Sequence, residues 1–248
     1  MKLITLNTWG GIVHESLIEF IKNHSTNTDV FCFQEVFPCS VVPRLSLGKV
    51  QQNLFFDIKK VLTNFNGYHA VAQENDVGGL AIFIKKSFVV NKIDHVVVSQ
   101  QLNITTNENQ EDYFSMGRDL QLMEFNNQGK IYSILNFHGM WVAKGKIDTD
   151  KRIEQSEKLK KIFNKANGAK ILCGDFNLRP DTKSIDILSE GNKNLILEYK
   201  IISTRSSLYP KPVKFADYII TSSEIKVKDF KVLQDEVSDH LPLFLEFE

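Results

Sequence analysis

The sequence predicts a β-sandwich flanked by helices. Three observations support this fold class: many short apolar runs bounded by polar turns, few helical patterns, and one apolar stripe on each helical pattern. A helix with one apolar stripe buries that stripe against a single surface, so such helices cover a sheet from outside. Since no Pro/Gly/Ser-rich linker divides the 248 residues, we expect one domain spanning residues 1–248.

Short apolar runs predict the strands, because each is bounded by turn residues and is too short for a buried helix. In chain order these runs are 3–6, 30–33, 80–84, 89–98, 120–125, 131–137, 170–173, 218–220 and 243–247.

Helical periodicity predicts helices over His14–Asn23, Val50–Phe65 and Thr149–Ala166, with a shorter helix after Pro180. Two segments are predicted loops: 100–113, which is rich in Asn, Gln, Glu and Thr, and 37–49.

Charge and cysteine content limit the class of protein. Lys and Arg total 30, as do Asp and Glu, so no global field draws the chain onto nucleic acid or a membrane. The three cysteines lack the spacing of a zinc site or a disulfide framework, and no apolar run approaches a membrane span. We expect a cytoplasmic monomer without stable membrane association.

Polar residues recur directly after or before the predicted strands, where a sheet edge can form a cleft. Each residue alone has a structural explanation as a turn former, a cap or a core histidine. Together they supply oxygen ligands for Mg²⁺, a base for water and donors for a phosphate. The set is Asn7, Glu35, His138, Asp175, Asn177, Asp239 and His240.

Other hydrolase classes fit less well. The histidines and cysteines do not cluster at zinc spacings, no Gly-rich phosphate loop precedes a lysine, and a nucleophile-elbow serine is absent from the sequence.

Several motifs resemble those of the endonuclease/exonuclease/phosphatase family, in particular its deoxyribonuclease I-like and tyrosyl-DNA phosphodiesterase-like branch. The most specific are Gly174-Asp175-Phe176-Asn177, followed by Pro180, and Ser238-Asp239-His240-Leu241-Pro242. Further matches, in the family's order, are Leu6-Asn7-Thr8-Trp9, Phe33-Gln34-Glu35-Val36, Asn136-Phe137-His138 and Ala216-Asp217-Tyr218-Ile219.

The resemblance implies a four-layered α/β sandwich, with two mixed sheets face to face and helices on the outer faces. It implies Mg²⁺, with Mn²⁺ as a substitute, held by Glu35 with Asn7 and Asp239. Asp175 would activate the attacking water. The phosphate would be contacted by Asn177, His240 and His138, and Asp217 would fix the tautomer of His240.

Two positions bear on the branch of the family. Phe215 stands where many members carry a basic residue, two positions before Asp217. His138 stands where abasic-site endonucleases carry a tyrosine, which argues against that activity.

The substrate is the least determined feature. A nuclease acting on DNA or RNA is the leading hypothesis, because a basic stretch follows His138 and because Trp9 and Trp141 can stack on bases. Core packing explains the tryptophans equally well. Lys144 in the basic stretch is a candidate substrate contact, and so is Arg118, for which a structural ion pair is the alternative.

Other activities remain open from the sequence. They are an inositol-phosphate phosphatase or sphingomyelinase-like phospholipase, a tyrosyl-DNA phosphodiesterase-like repair enzyme, and a binding module without catalysis. The last would require loss of motif residues, and none is lost.

Overall fold

A computed structural model describes residues 1–38, 50–70, 79–99, 118–141 and 145–248, without the side chain of Arg118. The elements in chain order are β1 (Lys2–Asn7), α1 (His14–His24), β2 (Val30–Val36), α2 (Leu54–Val61), β3 (Phe65–Ala70), β4 (Gly79–Lys85), β5 (Val89–Ser99), β6 (Arg118–Asn127), β7 (Lys130–His138), α3 (Asp150–Lys165), β8 (Ala169–Asp175), α4 (Lys183–Ser189), β9 (Lys193–Asn194), α5 (Leu195–Glu198), β10 (Asp217–Thr221), β11 (Val227–Val232) and β12 (Leu243–Phe247).

The strands in these ranges form two six-stranded sheets. The first has the order β11-β12-β1-β2-β4-β3, and the second has the order β5-β6-β7-β8-β10-β9. Both sheets are mixed: β1 pairs with β2 in parallel and β7 pairs with β8 in parallel, whereas the other neighbours are antiparallel.

Alternation along the strands divides the core into an inner and an outer layer. Leu3 and Val30 face the second sheet and pack in the cluster between the sheets, whereas Ile4 and Phe31 face outward. The outward residues of the first sheet pack against α1 and α2, and Leu159 of α3 packs on the second sheet. This arrangement confirms the predicted four-layered α/β sandwich.

The predicted helices are confirmed except for one range. Thr149 caps α3, because its Oγ1 accepts a hydrogen bond from the Arg152 amide at 3.3 Å. The prediction of one helix over 50–65 was wrong, since α2 ends at Val61 and Phe65 begins β3. Phe65 continued the helical spacing by coincidence. Its ring packs on Phe31, at 5.7 Å between centroids.

Three strands were not predicted: β3, β9 and β11. Half of the residues of β11 are charged and only Phe230 is buried, as expected of an edge strand. β9 has two residues, too few for a periodic signal. Most of the predicted loops 37–49 and 100–113 lies outside the described residues. No helix in the described ranges is long and apolar enough to cross a membrane.

Candidate active site

The adjoining ends of β7, β8 and β10 place three ionisable residues side by side. These strands are neighbours in the second sheet, and their register pairs His138 with Asp175 and Asp175 with Asp217. Residues opposite each other on neighbouring strands lie close enough for their side chains to interact. All three are buried.

Gly174 allows β8 to lie close to β7 immediately before Asp175. Its φ is +132°, and a Cβ atom at this position would lie 2.0 Å from the Phe137 carbonyl oxygen. Any other residue would clash with the neighbouring strand. The glycine of the Gly-Asp-Phe-Asn motif therefore determines where Asp175 projects.

Glu35 reaches the site from a β-bulge in the first sheet. The pairing of β2 with β4 shifts register between Phe33 and Val36, and Glu35 has a φ of +59°. Such a φ is uncommon for a residue with a side chain and carries strain. Glu35 Oε1 accepts a hydrogen bond from Asn7 Nδ2 at 2.9 Å and lies 3.8 Å from His138 Nε2.

The segment before β12 supplies Asp239 and His240. Ser238 anchors it, because its Oγ donates to the Asn7 carbonyl oxygen at 2.7 Å and accepts from the His240 amide at 3.2 Å. Arg205 forms an isolated β-bridge with His240. These contacts attach the C-terminal motif to the end of β1 and hence to the first sheet.

One oxygen of Asp175 is the centre of the cluster. Its Oδ2 accepts a hydrogen bond from Asn7 Nδ2 at 3.1 Å, and it lies 3.5 Å from His240 Nε2 and 3.8 Å from His138 Nε2. Its Oδ1 accepts from the Asn177 amide at 2.8 Å. Groups from both sheets therefore converge on a single carboxylate oxygen.

Asp175 stays ionised although it is buried. Burial acts to raise the pKa of this carboxyl, but the positive charges of Lys146, His240, His138 and Arg205 hold it well below the usual range. The carboxylate is therefore ionised at neutral pH, which is the form that a general base needs.

Asp217 and His240 form a buried carboxylate–imidazole pair. His240 Nδ1 lies 2.8 Å from Asp217 Oδ1, and Asp217 Oδ2 also accepts from the Thr204 hydroxyl at 2.9 Å. Burial acts to lower the pKa of His240, but Asp217, with Asp175 and Asp239, raises it above the usual value. His240 Nε2 then carries a proton directed toward Asp175.

The surroundings of Glu35 disfavour a negative charge on its own carboxyl group. Burial raises the pKa of Glu35 to about 7, and the nearby carboxylates of Asp239 and Asp175 act in the same direction. The hydrogen bond from Asn7 acts in the opposite direction. The Glu35 side chain is 26% exposed, at the open side of the cluster. A divalent cation at this point would relieve the repulsion between the carboxylates.

Asn7 turns its amide nitrogen toward the carboxylates. Its Nδ2 donates to Glu35 and Asp175, while its Oδ1 accepts from the Trp9 amide at 2.9 Å. For Asn7 to offer oxygen to a metal, the amide has to rotate and release the Trp9 amide.

Asp239 is paired with an arginine. Its Oδ2 accepts from Arg205 at 2.8 Å, and its Oδ1 lies 3.7 Å from His240 Nε2. Among the described residues, the ligand atoms of Asp175, Asp217 and His240 also lie within 4.8 Å of one another. The Asp217 oxygens are already engaged by His240 and Thr204, so we interpret that group as a positioning pair.

Asn177 is held on three sides. Its φ is +55°, its Oδ1 accepts from Lys146 Nζ at 2.7 Å, and its Nδ2 donates to the Gly139 carbonyl oxygen at 3.2 Å. Its own carbonyl oxygen accepts from the buried guanidinium of Arg152 at 2.9 Å.

The two tryptophans differ in exposure. Trp9 is half-buried beside Asn7, and Trp141 is 45% exposed with the Lys211 ammonium 5.8 Å from its ring centroid.

Lys144 and the side chain of Arg118 lie outside what the structure describes. Phe215 packs against the hydrophobic core.

Two cations at the site, Arg152 and Arg205, were not identified as site residues from the sequence. Lys146 was considered with Lys144 as a contact for nucleic acid, but the basic run that contains Lys146 and Arg152 is typical of a solvated helix face, and both residues are buried. Arg205 lies in a segment without periodicity, and its β-bridge with His240 and its ion pair with Asp239 bring it to the cluster.

The structure is similar to several solved structures. One is an endonuclease/exonuclease/phosphatase family protein from Bacteroides thetaiotaomicron, with a TM-score of 0.75 and 18% identity, covering 100% of this chain and 97% of that chain. Another is a mannosyl-6-phosphatase from the same organism, with a TM-score of 0.74, 18% identity and coverage of 100% and 99%.

TDP2 from D. rerio, complexed with a single-strand DNA product, is also similar, with a TM-score of 0.72 and 14% identity over 100% of this chain and 98% of that chain. No curated protein matches this chain in sequence.

At such low identities these likenesses concern the fold. The model of the Endonuclease/Exonuclease/phosphatase family matches residues 4–240, a range that contains every residue of the cluster around Asp175. The protein therefore belongs to the Endonuclease/Exonuclease/phosphatase family, whose members hydrolyse phosphate esters.

Proposed function

We propose that this protein is a divalent-metal-dependent phosphoesterase in which Asp175 activates the attacking water. The convergence on Asp175 Oδ2 of Asn7, His138 and His240, at 3.1 to 3.8 Å, is the observation that carries the proposal. An ionised acceptor surrounded by donors is suited to a water and a phosphate oxygen that react with each other.

Glu35 and Asp239 are the proposed ligands of Mg²⁺, for which Mn²⁺ would substitute, with Asn7 completing the set after its amide rotates. Oxygen donors and a carboxylate cluster with a raised Glu35 pKa fit a hard divalent cation. When bound, the cation neutralises charge on the phosphate and on the leaving oxygen.

The remaining roles follow from the contacts. Asp175 takes a proton from water, and protonated His240, kept in one tautomer by Asp217, donates from Nε2 to a phosphate oxygen. His138 is the proposed donor to the leaving oxygen. Asn177 donates its second amide hydrogen to the phosphate.

Nucleic acid is the first substrate to test. Support comes from the exposed ring of Trp141 with Lys211 above it, a combination that can stack on a base and attract a backbone phosphate. Since the net charge is zero, single strands and short ends fit better than long duplexes. The similar structures include a phosphatase and a protein with a DNA product, so both ester classes need to be included.

The test compares wild type with Asp175→Asn on 5′-labelled single-stranded DNA, duplex DNA and RNA, in Mg²⁺, Mn²⁺ or EDTA. We expect metal-dependent product that falls at least ~10²-fold in the variant, because the base is removed. A ladder of fragments identifies a nuclease, and release of inorganic phosphate identifies a phosphatase.

Asp186→Asn is the matched control, since Asp186 is an exposed residue of α4. Turnover of Asp175→Asn close to wild type, or activity that survives EDTA, would contradict the proposal.

A further inference from the structure

Lys146 is a buried ammonium beside the proposed reacting centre. It is 5% exposed, and Asn177 Oδ1 is the acceptor that the described residues give its Nζ, at 2.7 Å. An ammonium has three N–H donors. Burying such a charge without a full set of partners is costly, so the site favours the arrival of an anion.

Arg205 is a second buried cation at the same site. Its Nη1 donates to Asp239 at 2.8 Å and its guanidinium lies 4.0 Å from the Tyr209 ring centroid, but its Nε has no hydrogen-bond partner among the described atoms. Arg205 is near enough to Lys146 for the two charges to repel each other. Both therefore gain from an anion between or beside them.

Charge balance at the site distinguishes two classes of phosphate ester. The carboxylates of Glu35, Asp175, Asp217 and Asp239 lie near the buried cations Lys146 and Arg205 as well as two histidines. A divalent cation bound by carboxylates would supply two positive charges, and Lys146 and Arg205 supply two more. Positive charge matters most for a phosphomonoester, which carries about two negative charges at neutral pH where a diester carries one.

We propose that Lys146, with Arg205 beside it, binds the additional anionic oxygen of a terminal phosphate, so that the site selects phosphomonoesters over phosphodiesters. The selection rests on the proposed function, because it names the substrate class of the same site. In the reaction, the water oxygen bonds to phosphorus and its proton passes to Asp175, while the ester oxygen leaves with a proton from His138. The products are an alcohol and inorganic phosphate.

A purely positioning role for Lys146 has a different signature. If Lys146 only held Asn177 in place, Lys146→Gln would retain a donor to Asn177 Oδ1 and would keep the preference between substrates. If Lys146 binds the phosphate by charge, Lys146→Gln loses the preference while Lys146→Arg keeps it. The two variants therefore separate the hydrogen bond from the charge.

The experiment measures kcat/KM of wild type, Lys146→Gln and Lys146→Arg on p-nitrophenyl phosphate and bis(p-nitrophenyl) phosphate with Mg²⁺. Lys158→Gln, at an exposed position of α3, is the control. We expect kcat/KM of Lys146→Gln to fall about 10- to 100-fold on the monoester, which corresponds to one charge-assisted hydrogen bond. On the diester we expect kcat/KM to fall less than about 3-fold. Glucose 6-phosphate and a 5′-phosphorylated oligonucleotide then distinguish a sugar phosphate from a nucleic-acid end.

Calorimetric titration with inorganic phosphate, with and without Mg²⁺, gives a readout independent of turnover. The dissociation constant for phosphate is expected to rise about 10-fold or more in Lys146→Gln and to change little in Lys146→Arg. An equal loss on both esters, a wild type that prefers the diester, or an unchanged phosphate affinity in Lys146→Gln would overturn the inference.

The failure of the proposed function looks different. In that case wild type hydrolyses neither ester with any divalent cation, and the phosphate titration still decides whether Lys146 binds phosphate. Thermal melting of each variant shows whether it is folded.

Discussion

Lys146 illustrates how the surroundings of one residue determine its charge. Burial lowers the pKa of Lys146 to about 8, and the nearby positive charges of Arg205 and Arg152 act in the same direction. The negative charges of Asp175 and Asp217 oppose this shift. The ammonium form, which the proposed phosphate contact requires, therefore predominates only below about pH 8.

A pH dependence follows from this shift. The value of kcat/KM for p-nitrophenyl phosphate, which reports the free enzyme, is expected to fall as the pH rises through about 8, because Lys146 loses its proton. The substrate does not contribute, since its own second pKa of about 6 leaves it doubly charged throughout this range. The measurement is a pH profile between 7 and 10.

Lys146→Arg serves as the control for that profile, because arginine keeps its charge over the whole range. A falling limb near pH 8 that persists in Lys146→Arg would assign the titration to another group.

Helix α3 acts on the active site through one buried side chain. Arg152 is 1% exposed and donates five hydrogen bonds to the carbonyl oxygens of Met140, Gly145, Ile147 and Asn177. These carbonyls lie on both sides of the segment that carries Lys146. The helix therefore fixes the loops that hold Lys146 and Asn177, although it contributes no atom to the reaction.

Replacing Arg152 by methionine tests this role. We expect the free energy of unfolding to fall by about 3 kcal/mol, because buried carbonyl oxygens lose their donors while most of the side-chain volume remains. The measurement is guanidinium chloride unfolding at equilibrium. Lys158→Met, exposed on the same helix, should change stability by less than about 0.5 kcal/mol. A loss below about 1 kcal/mol in Arg152→Met would show that the loops hold their positions without it.

The elements also show what the sequence could predict. Strands such as β8 and β12 are mainly apolar runs, and a polar residue near such a run is a local signal, so Asp175 and Asp239 were identified as candidates. The helical spacing over 50–65 gave a wrong prediction of one continuous helix, because Phe65 fits a helical stripe and a buried strand position equally well. Arg205 depends on a pairing across the molecule with His240, which no local pattern encodes.

The roles of these residues remain predictions, since position alone does not establish a reaction. The prediction of a single domain also remains a prediction.

At the scale of the whole molecule, the two sheets are joined by a buried polar contact below the active site. Gln34 of β2 donates through Nε2 to Asn136 Oδ1 at 2.7 Å, and both residues are fully buried. Gln34 precedes Glu35, and Asn136 is two residues before His138. The hydrogen bond therefore links the sheet that carries the proposed metal ligand to the sheet that carries the proposed donor.

A double-mutant cycle of Gln34→Leu and Asn136→Leu measures this coupling. Each single change is expected to cost about 2–3 kcal/mol. Gln34→Leu leaves Asn136 Oδ1 without this donor, and Asn136→Leu takes this acceptor from Gln34 Nε2, which keeps Thr5 Oγ1 and the Cys32 carbonyl oxygen. The sum of the two single losses should exceed the loss in the double variant by at least ~1 kcal/mol, since neither half of this hydrogen bond then remains. Denaturant unfolding of the four proteins gives the values.

The exposed ion pair of Lys226 and Glu248, 2.8 Å apart on the surface, provides the comparison. Its alanine cycle should show a coupling within about 0.5 kcal/mol, because solvent screens exposed pairs. A coupling for Gln34 and Asn136 no larger than this would mean that apolar packing alone sets the spacing of the sheets. If the larger coupling is found, the double variant should also hydrolyse its substrate more slowly than wild type. The hydrogen bond that fixes the strands of Glu35 and His138 relative to each other is then missing.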